Sequence, residues 1–271
     1  MKKLIKNFAC GILYSLGVPK AMNFNTRIIA FHTVNPDYFE SQMEYLKKNY
    51  NVVTLQEAIK DMSKKQVAIT FDDGYKNNYL YAYPVLKKLK LKATVFVTYD
   101  FISKDTFTWW DRLECSNKKY NLKYLKKKNP EAIEREVYSI TNLKCTDKKP
   151  LEYKFMVWED LKKIKDVFEV GSHTLSHPIL TNVSLKEAEK EIRLSKKMIG
   201  EKIRANVVSF AYPNGDCDPS IIQLVKTAGY KCAAVYRDSK NDDSNTFSLF
   251  RRGINKEDNL VVFACKVGGI F

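Results

Sequence analysis

The chain has 271 residues, 45% hydrophobic and 13% aromatic, so it carries enough apolar material for one packed domain and lacks the composition of a disordered segment. A formal net charge of +15 raises the question of a polyanionic partner, yet 38 of the 46 basic residues are Lys, spread along the whole sequence. Phosphate and base readout favour Arg with interleaved aromatics, which sets nucleic acid aside and leaves acidic glycans or an anionic lipid surface open.

Six cysteines, at positions 10, 115, 145, 217, 232 and 265, form no CxxC pair and no short framework spacing. Unpaired thiols in a reducing compartment fit that scatter better than a disulfide scaffold or a thiolate zinc site. Residues 1–26 read as a segment of their own, in which Lys2, Lys3 and Lys6 precede an apolar run at 8–18. That order resembles a signal peptide, and the run is too short to span a bilayer. The preferred reading is an amphipathic or targeting segment, with peripheral membrane association and a cytoplasmic or membrane-peripheral location expected over secretion.

From residue 27 onward, β-rich runs alternate with helical patterns, which predicts βα units around a mostly parallel sheet. Residues 27–32 read as a strand, followed by a helix with Phe39, Met43 and Leu46 on one face. A strand at 66–72, a Tyr-rich helical stretch to 91 and a strand at 93–98 come next. Between about 103 and 155 a Lys- and Asn-rich segment of helical character interrupts the alternation and reads as an insertion within a single domain spanning 27–271. The pattern resumes with a strand at 168–173 and a helix that Ser184 and Glu187 open as a capping box and Gly200 can close. Strand-like runs follow at 206–212, 231–236 and 248–252.

All three histidines lie at or just past predicted strand ends, His32 after the first and His173 and His177 after the run at 168–172, and Asp72 and Asp73 end another strand. In barrels of alternating strands and helices those ends converge on one face, so residues distant in sequence meet there. His173 and His177 are four apart, a spacing that on one helical turn lets both imidazoles share an ion. By itself the spacing suits a solvated turn equally well, and TFDDG at 70–74 suits an ordinary Asp-Asp-Gly turn. Together they offer two His and one carboxylate, which leaves coordination positions open as a catalytic site requires.

TFDDG at 70–74, SHTLSH at 172–177 and FAYPNG at 210–215, with the flanking WEDL at 158–161 and AGY at 228–230, resemble the polysaccharide deacetylases with the NodB homology domain, carbohydrate esterase family 4. The resemblance runs from about residue 27 to the C-terminus and implies a distorted (β/α)7 barrel with a helical insertion. It also implies a divalent ion, usually zinc, and hydrolysis of an acetyl group on an acetylated glycan. Carried onto this sequence, Asp72 is the base, Asp73, His173 and His177 hold the ion, and the backbone N–H of Asn214 meets the oxyanion. The chemistry is self-consistent, because a divalent ion lowers the pKa of its water from about 15.7 to about 7 and polarises the acetyl carbonyl.

Two departures stand out. Many members carry an Arg in the third motif where this chain has Ala211, a vacancy that Arg251 or Arg252 could fill in space. No histidine follows His177, so the usual C-terminal proton donor is absent and His32 becomes the candidate. Tyr212, Pro213, Trp110 and Arg251 are the expected sugar contacts, with Trp109, Asp111 and Arg112 beside them. The leading expectation is removal of acetyl groups from N-acetylated amino sugars of a polysaccharide or its precursor. Alternatives are deacylation of another amide, on a sugar-lipid or a small molecule, and a catalytically silent glycan-binding module.

Overall fold

A computed structural model describes residues 10–21, 25–236 and 245–270. The charged start of the N-terminal segment, residues 1–9, lies outside them. Among the described residues, nine strands form one parallel sheet: β1 (Arg27–Phe31), β2 (Asn51–Val53), β3 (Gln66–Phe71), β4 (Ala93–Val97), β5 (Phe168–Ser172), β6 (Ser209–Ala211), β7 (Cys232–Val235), β8 (Leu249–Phe250) and β9 (Arg252–Gly253). Their order is β8-β7-β6-β5-β4-β3-β1-β9, with β2 beside β3.

The two ends of that path, β8 and β9, are separated in the chain by Arg251 alone. Leu249 and Phe250 pair with β7, whereas Arg252 and Gly253 pair with β1. One short run therefore closes the sheet on itself, and counting it once leaves seven staves of a (β/α)7 barrel plus the short β2. The expected strand at 248–252 is thus two, divided where the chain crosses from one neighbour to the other. β2 was not legible beforehand; it flanks the first half of β3 through Val52 and Val67, and β4 flanks the second half through Phe71 and Val95.

β-Branched and aromatic runs make these staves, and β3 and β4 are buried along their whole length, as a strand covered on both faces must be. Outside them pack helices with clear start signals. Asn35 caps Pro36–Asn49 by accepting from the Asp37 N–H, and Ser184 caps Leu185–Ile203 by accepting from the Glu187 N–H. Gly200 does not end that helix. Ile199 and Ile203 are both buried, and the chain turns left-handed only at Arg204, φ 51.

Within residues 103–155, helices Trp109–Ser116, Leu122–Leu125 and Pro130–Thr141 gather around Leu113, Leu125, Ile133 and Val137. At the N-terminal side, Val18–Ala21 lies against the last helix, Leu260–Gly268. No helix among the described residues is long and apolar enough to cross a membrane.

Candidate active site

His32 follows β1, Asp72 and Asp73 follow β3, His173 follows β5, Tyr212 follows β6 and Tyr236 follows β7. Parallel staves put all these positions at one end of the barrel, around a cleft of about 1060 Å3. That is at the upper end of ordinary small-ligand pockets, about 300–1,000 Å3. A second groove of about 960 Å3 runs along Leu185–Ile203, and none of residues 70–74, 172–177 and 210–215 lines it.

The turn after β3 is tight. Asp73 takes φ 67 and Gly74 φ 81, and the Gly74 N–H bonds the Asp72 carbonyl at 2.8 Å. A Cβ at Gly74 would stand 3.0 Å from Ile102 Cδ1 as well as suffer the positive φ, so glycine is required there. The turn sends the two neighbouring aspartates to different surroundings.

Asp72 is fully buried and meets Arg251 through two bonds, Nη1 to Oδ1 at 2.6 Å and Nη2 to Oδ2 at 2.9 Å. Burial alone would raise its carboxyl. The Arg251 guanidinium, then the His173 and His32 imidazoles, reverse that and hold it well below the usual carboxylate range. Arg251 is itself packed between Phe96 and Tyr236, 5.2 Å and 4.5 Å from their ring centres.

Asp73 has no such cation. Its Oδ1 is buried without a hydrogen-bond partner, 3.7 Å from His173 Nε2 and 3.4 Å from His177 Nε2. Burial, then the charges of Asp72 and Asp111, push its carboxyl far up. One ligand atom from each of Asp73, His173 and His177 lies within 4.8 Å of the others.

The imidazoles are held ready for a ligand role. His173 is anchored by its N–H to Val97 O at 2.9 Å, and its Nδ1 lies 2.7 Å from Ala211 O, a carbonyl that can only accept. Nδ1 therefore carries the proton and Nε2 presents a lone pair. Burial draws His173 down to about 4 and His177 well below its ordinary value, so both stay neutral near pH 7.

The stretch from 173 to 177 is not the helical turn expected from the spacing. Thr174 and His177 both take positive φ, 70 and 67, and the loop folds back so that the rings lie 4.7 Å apart. Glu191, buried on Leu185–Ile203, holds that loop by accepting from the Leu175 N–H (2.8 Å), the Ser176 N–H (2.9 Å) and the Ser176 hydroxyl (2.6 Å). Only the folded chain brings Glu191 there; in sequence it is one acid on an amphipathic helix.

A buried carboxylate oxygen without a partner costs free energy unless a cation meets it. One anionic oxygen and two neutral imidazole nitrogens converging on a point are the donor set that suits a divalent ion with open positions. The residues present fit such an ion.

His32 Nε2 lies 4.0 Å from Asp73 Oδ2, with its side chain 53% exposed to the cleft and its ring stacked on Tyr236 at 5.8 Å. Asn214, φ 60, is on the cleft wall. Trp110 also lines it, 4.8 Å from the His177 ring, and donates from Nε1 to the Tyr75 hydroxyl at 2.9 Å.

Three expected sugar contacts are placed otherwise. Tyr212 is fully buried in the core, its hydroxyl donating to Phe247 O at 3.0 Å, because β6 ends there and turns the ring inward. Pro213 is buried beside it and does not line the cleft. Arg251, also fully buried, is committed to Asp72, while Arg252 donates to Lys266 O at 2.8 Å. Arg112 is buried too, forked onto Glu134 with both bonds at 2.6 Å.

Residues 59–233 match the family model described as Polysaccharide deacetylase. The chain belongs to the polysaccharide deacetylase family. Among curated relatives, it is 31% identical over 163 residues to YxkH of Bacillus subtilis (strain 168), named for the same family, covering 56% of this chain and 53% of that protein. It is 26% identical over 219 residues to a poly-beta-1,6-N-acetyl-D-glucosamine N-deacetylase of Staphylococcus aureus (strain N315), covering 76% of this chain and 62% of that one. The chain thus spans between half and two thirds of these relatives.

Solved structures share the fold. The Streptococcus pyogenes deacetylase PplD in complex with acetate superposes with a TM-score of 0.66 at 20% identity, over 90% of this chain and 98% of that one. IcaB from Ammonifex degensii gives 0.65 at 18%, over 91% and 98%.

Proposed function

We propose that the chain is a metal-dependent deacetylase that removes acetyl groups from N-acetylated amino sugars of a polysaccharide or its precursor. The observation that carries this reading is the unpartnered Asp73 Oδ1 facing two neutral imidazole nitrogens, one residue from a base locked by Arg251, at the floor of a large cleft. A divalent ion held by Asp73, His173 and His177, zinc in the first instance, supplies charge stabilisation and a water of lowered pKa.

The chain's own groups do the rest. Asp72 stays ionised throughout the physiological range and accepts the proton of the attacking water, while Arg251 keeps its carboxylate in one orientation. The Asn214 N–H donates to the acetyl oxygen as negative charge develops on it. His32, half exposed beside Asp73, hands a proton to the departing sugar nitrogen. Trp110 offers its indole as a wall for a pyranose face, its tilt set by the bond to Tyr75. Names carried by the staphylococcal relatives support an N-acetylglucosamine polymer as the first substrate to try.

The test is acetate release from a panel of acetylated oligosaccharides, run beside ion content, for wild type and Asp72→Asn. A fall of about 10²- to 10⁴-fold with the ion retained is expected. Equal acetate release by both proteins, or a wild type that binds no divalent ion, would sink the reading.

A further inference from the structure

At the third motif, three stretches far apart in sequence meet, and one of them is the insertion. Asn214 adopts φ 60, ψ −1 within the turn Pro213–Gly215. Asn enters that left-handed region more readily than other non-glycine residues, because its short amide can be held by nearby hydrogen bonds. Here its carboxamide is gripped at both ends: Lys126 Nζ donates to Oδ1, and Nδ2 donates to Asp216 Oδ2. Next in the chain, Gly215 (φ 77) lies so close to β7 that a Cβ would come within 2.5 Å of the Tyr236 backbone nitrogen, so the turn cannot retreat on that side.

Lys126 is braced in turn. Its N–H closes the helix Leu122–Leu125 by bonding Leu122 O, and its carbonyl accepts from Asn182 Nδ2 at 2.7 Å. Asn182 belongs to the segment that follows His177. Lys126, Asn182 and Asn214 all line the cleft. Lys126 Nζ reaches the side-chain amide of a motif residue. A hydrogen bond from an ionised donor is stronger than one between neutral groups, which suits Lys126 to hold the amide in place.

The geometry points to Lys126 as a positioning residue for the reaction: by gripping the Asn214 carboxamide it fixes the Asn214 backbone N–H at the cleft. There the N–H meets the charge that develops on the acetyl oxygen, a role that rests on the deacetylase reading above. The insertion is then part of the catalytic apparatus, since it supplies the side chain that holds an oxyanion donor carried by the barrel.

Lys126→Met and Lys126→Arg, each loaded with zinc, test this. A donor aimed at the transition state affects turnover more than substrate binding, so Lys126→Met is expected to lose about 10- to 10²-fold in kcat with KM within about twofold. Zinc affinity and thermal midpoint stay at the wild-type level, Lys126→Arg recovers most of the loss, and the Asn214 amide exchanges faster with solvent by NMR in Lys126→Met. An unchanged kcat, or a loss that tracks zinc affinity or melting temperature, overturns the assignment. If the wild type releases no acetate from any glycan, the deacetylase reading falls by itself. The Asn214 amide then decides alone: faster exchange in Lys126→Met upholds the positioning contact, and unchanged exchange overturns it.

Discussion

Asp72 and Asp73 leave the same strand end one residue apart, equally buried, yet their corners of the cleft are opposites. Asp72 has a forked guanidinium on both oxygens, and its carboxyl is held well below its ordinary value. Asp73 faces two neutral imidazoles with one oxygen unpartnered, and its carboxyl is driven far up. The fold has supplied one carboxylate with its counter-cation and left the other with a buried oxygen that no hydrogen-bond donor meets. Adjacent residues of one type thereby acquire opposite shifts, which on the proposed reading suits one to act as base and the other as ligand.

The largest expected effect breaks the Asp73 corner. Asp73→Ala should reduce divalent-ion binding to background in a calorimetric titration. Turnover should fall by about 10³-fold or more, several kcal/mol at about 1.36 kcal/mol per decade. Retained ion binding in that variant would erase the distinction between the two aspartates. Next comes the Asp72 corner: Arg251→Met leaves a buried carboxylate uncompensated and is expected to cost about 3–5 kcal/mol in urea unfolding. A cost below about 1 kcal/mol would place the pair among weakly coupled ions.

His32→Ala should lower kcat by about 10²-fold or more with ion affinity unchanged, since the residue stands outside the donor set. An unaltered kcat on an amide substrate would return His32 to a packing role against Tyr236. The smallest effect sharpens the comparison with a third buried carboxyl. Asp111 accepts from Thr108 Oγ1 at 2.6 Å and from the Tyr75 hydroxyl at 2.9 Å, and burial pushes it up to about 7 from 3.8. Between those values the folded chain keeps a proton that the unfolded chain releases, so through this group stability falls as pH rises from about 4 to about 7 and is level above. Asp111→Asn should flatten that slope in melting temperature against pH, and an unchanged slope would show that another group sets it.

Much of this was legible beforehand because strand ends in a βα barrel must converge. The alternation of β-rich and helical runs, the aspartate pair and the two histidines follow from composition and spacing, which are local properties. Other features depend on which residues face each other across the barrel, and one-dimensional spacing does not carry that. The histidine loop resembled a helical turn, yet Thr174 and His177 twist it left-handed while Glu191, from a neighbouring helix, holds its amides. Tyr212 belonged to a motif and turned into the core, whereas Tyr75, Tyr236 and Lys126 belonged to none and line the cleft.

The sequence by itself determined the alternation of strands and helices, and its motifs, through the family they resemble, the barrel and the carboxylates and imidazoles that gather at one face, because parallel strand ends converge there. Only the tertiary structure decided which cation meets Asp72. Closure of the sheet through a run that switches neighbours at Arg251 aims that one side chain at β3, across 179 residues of chain.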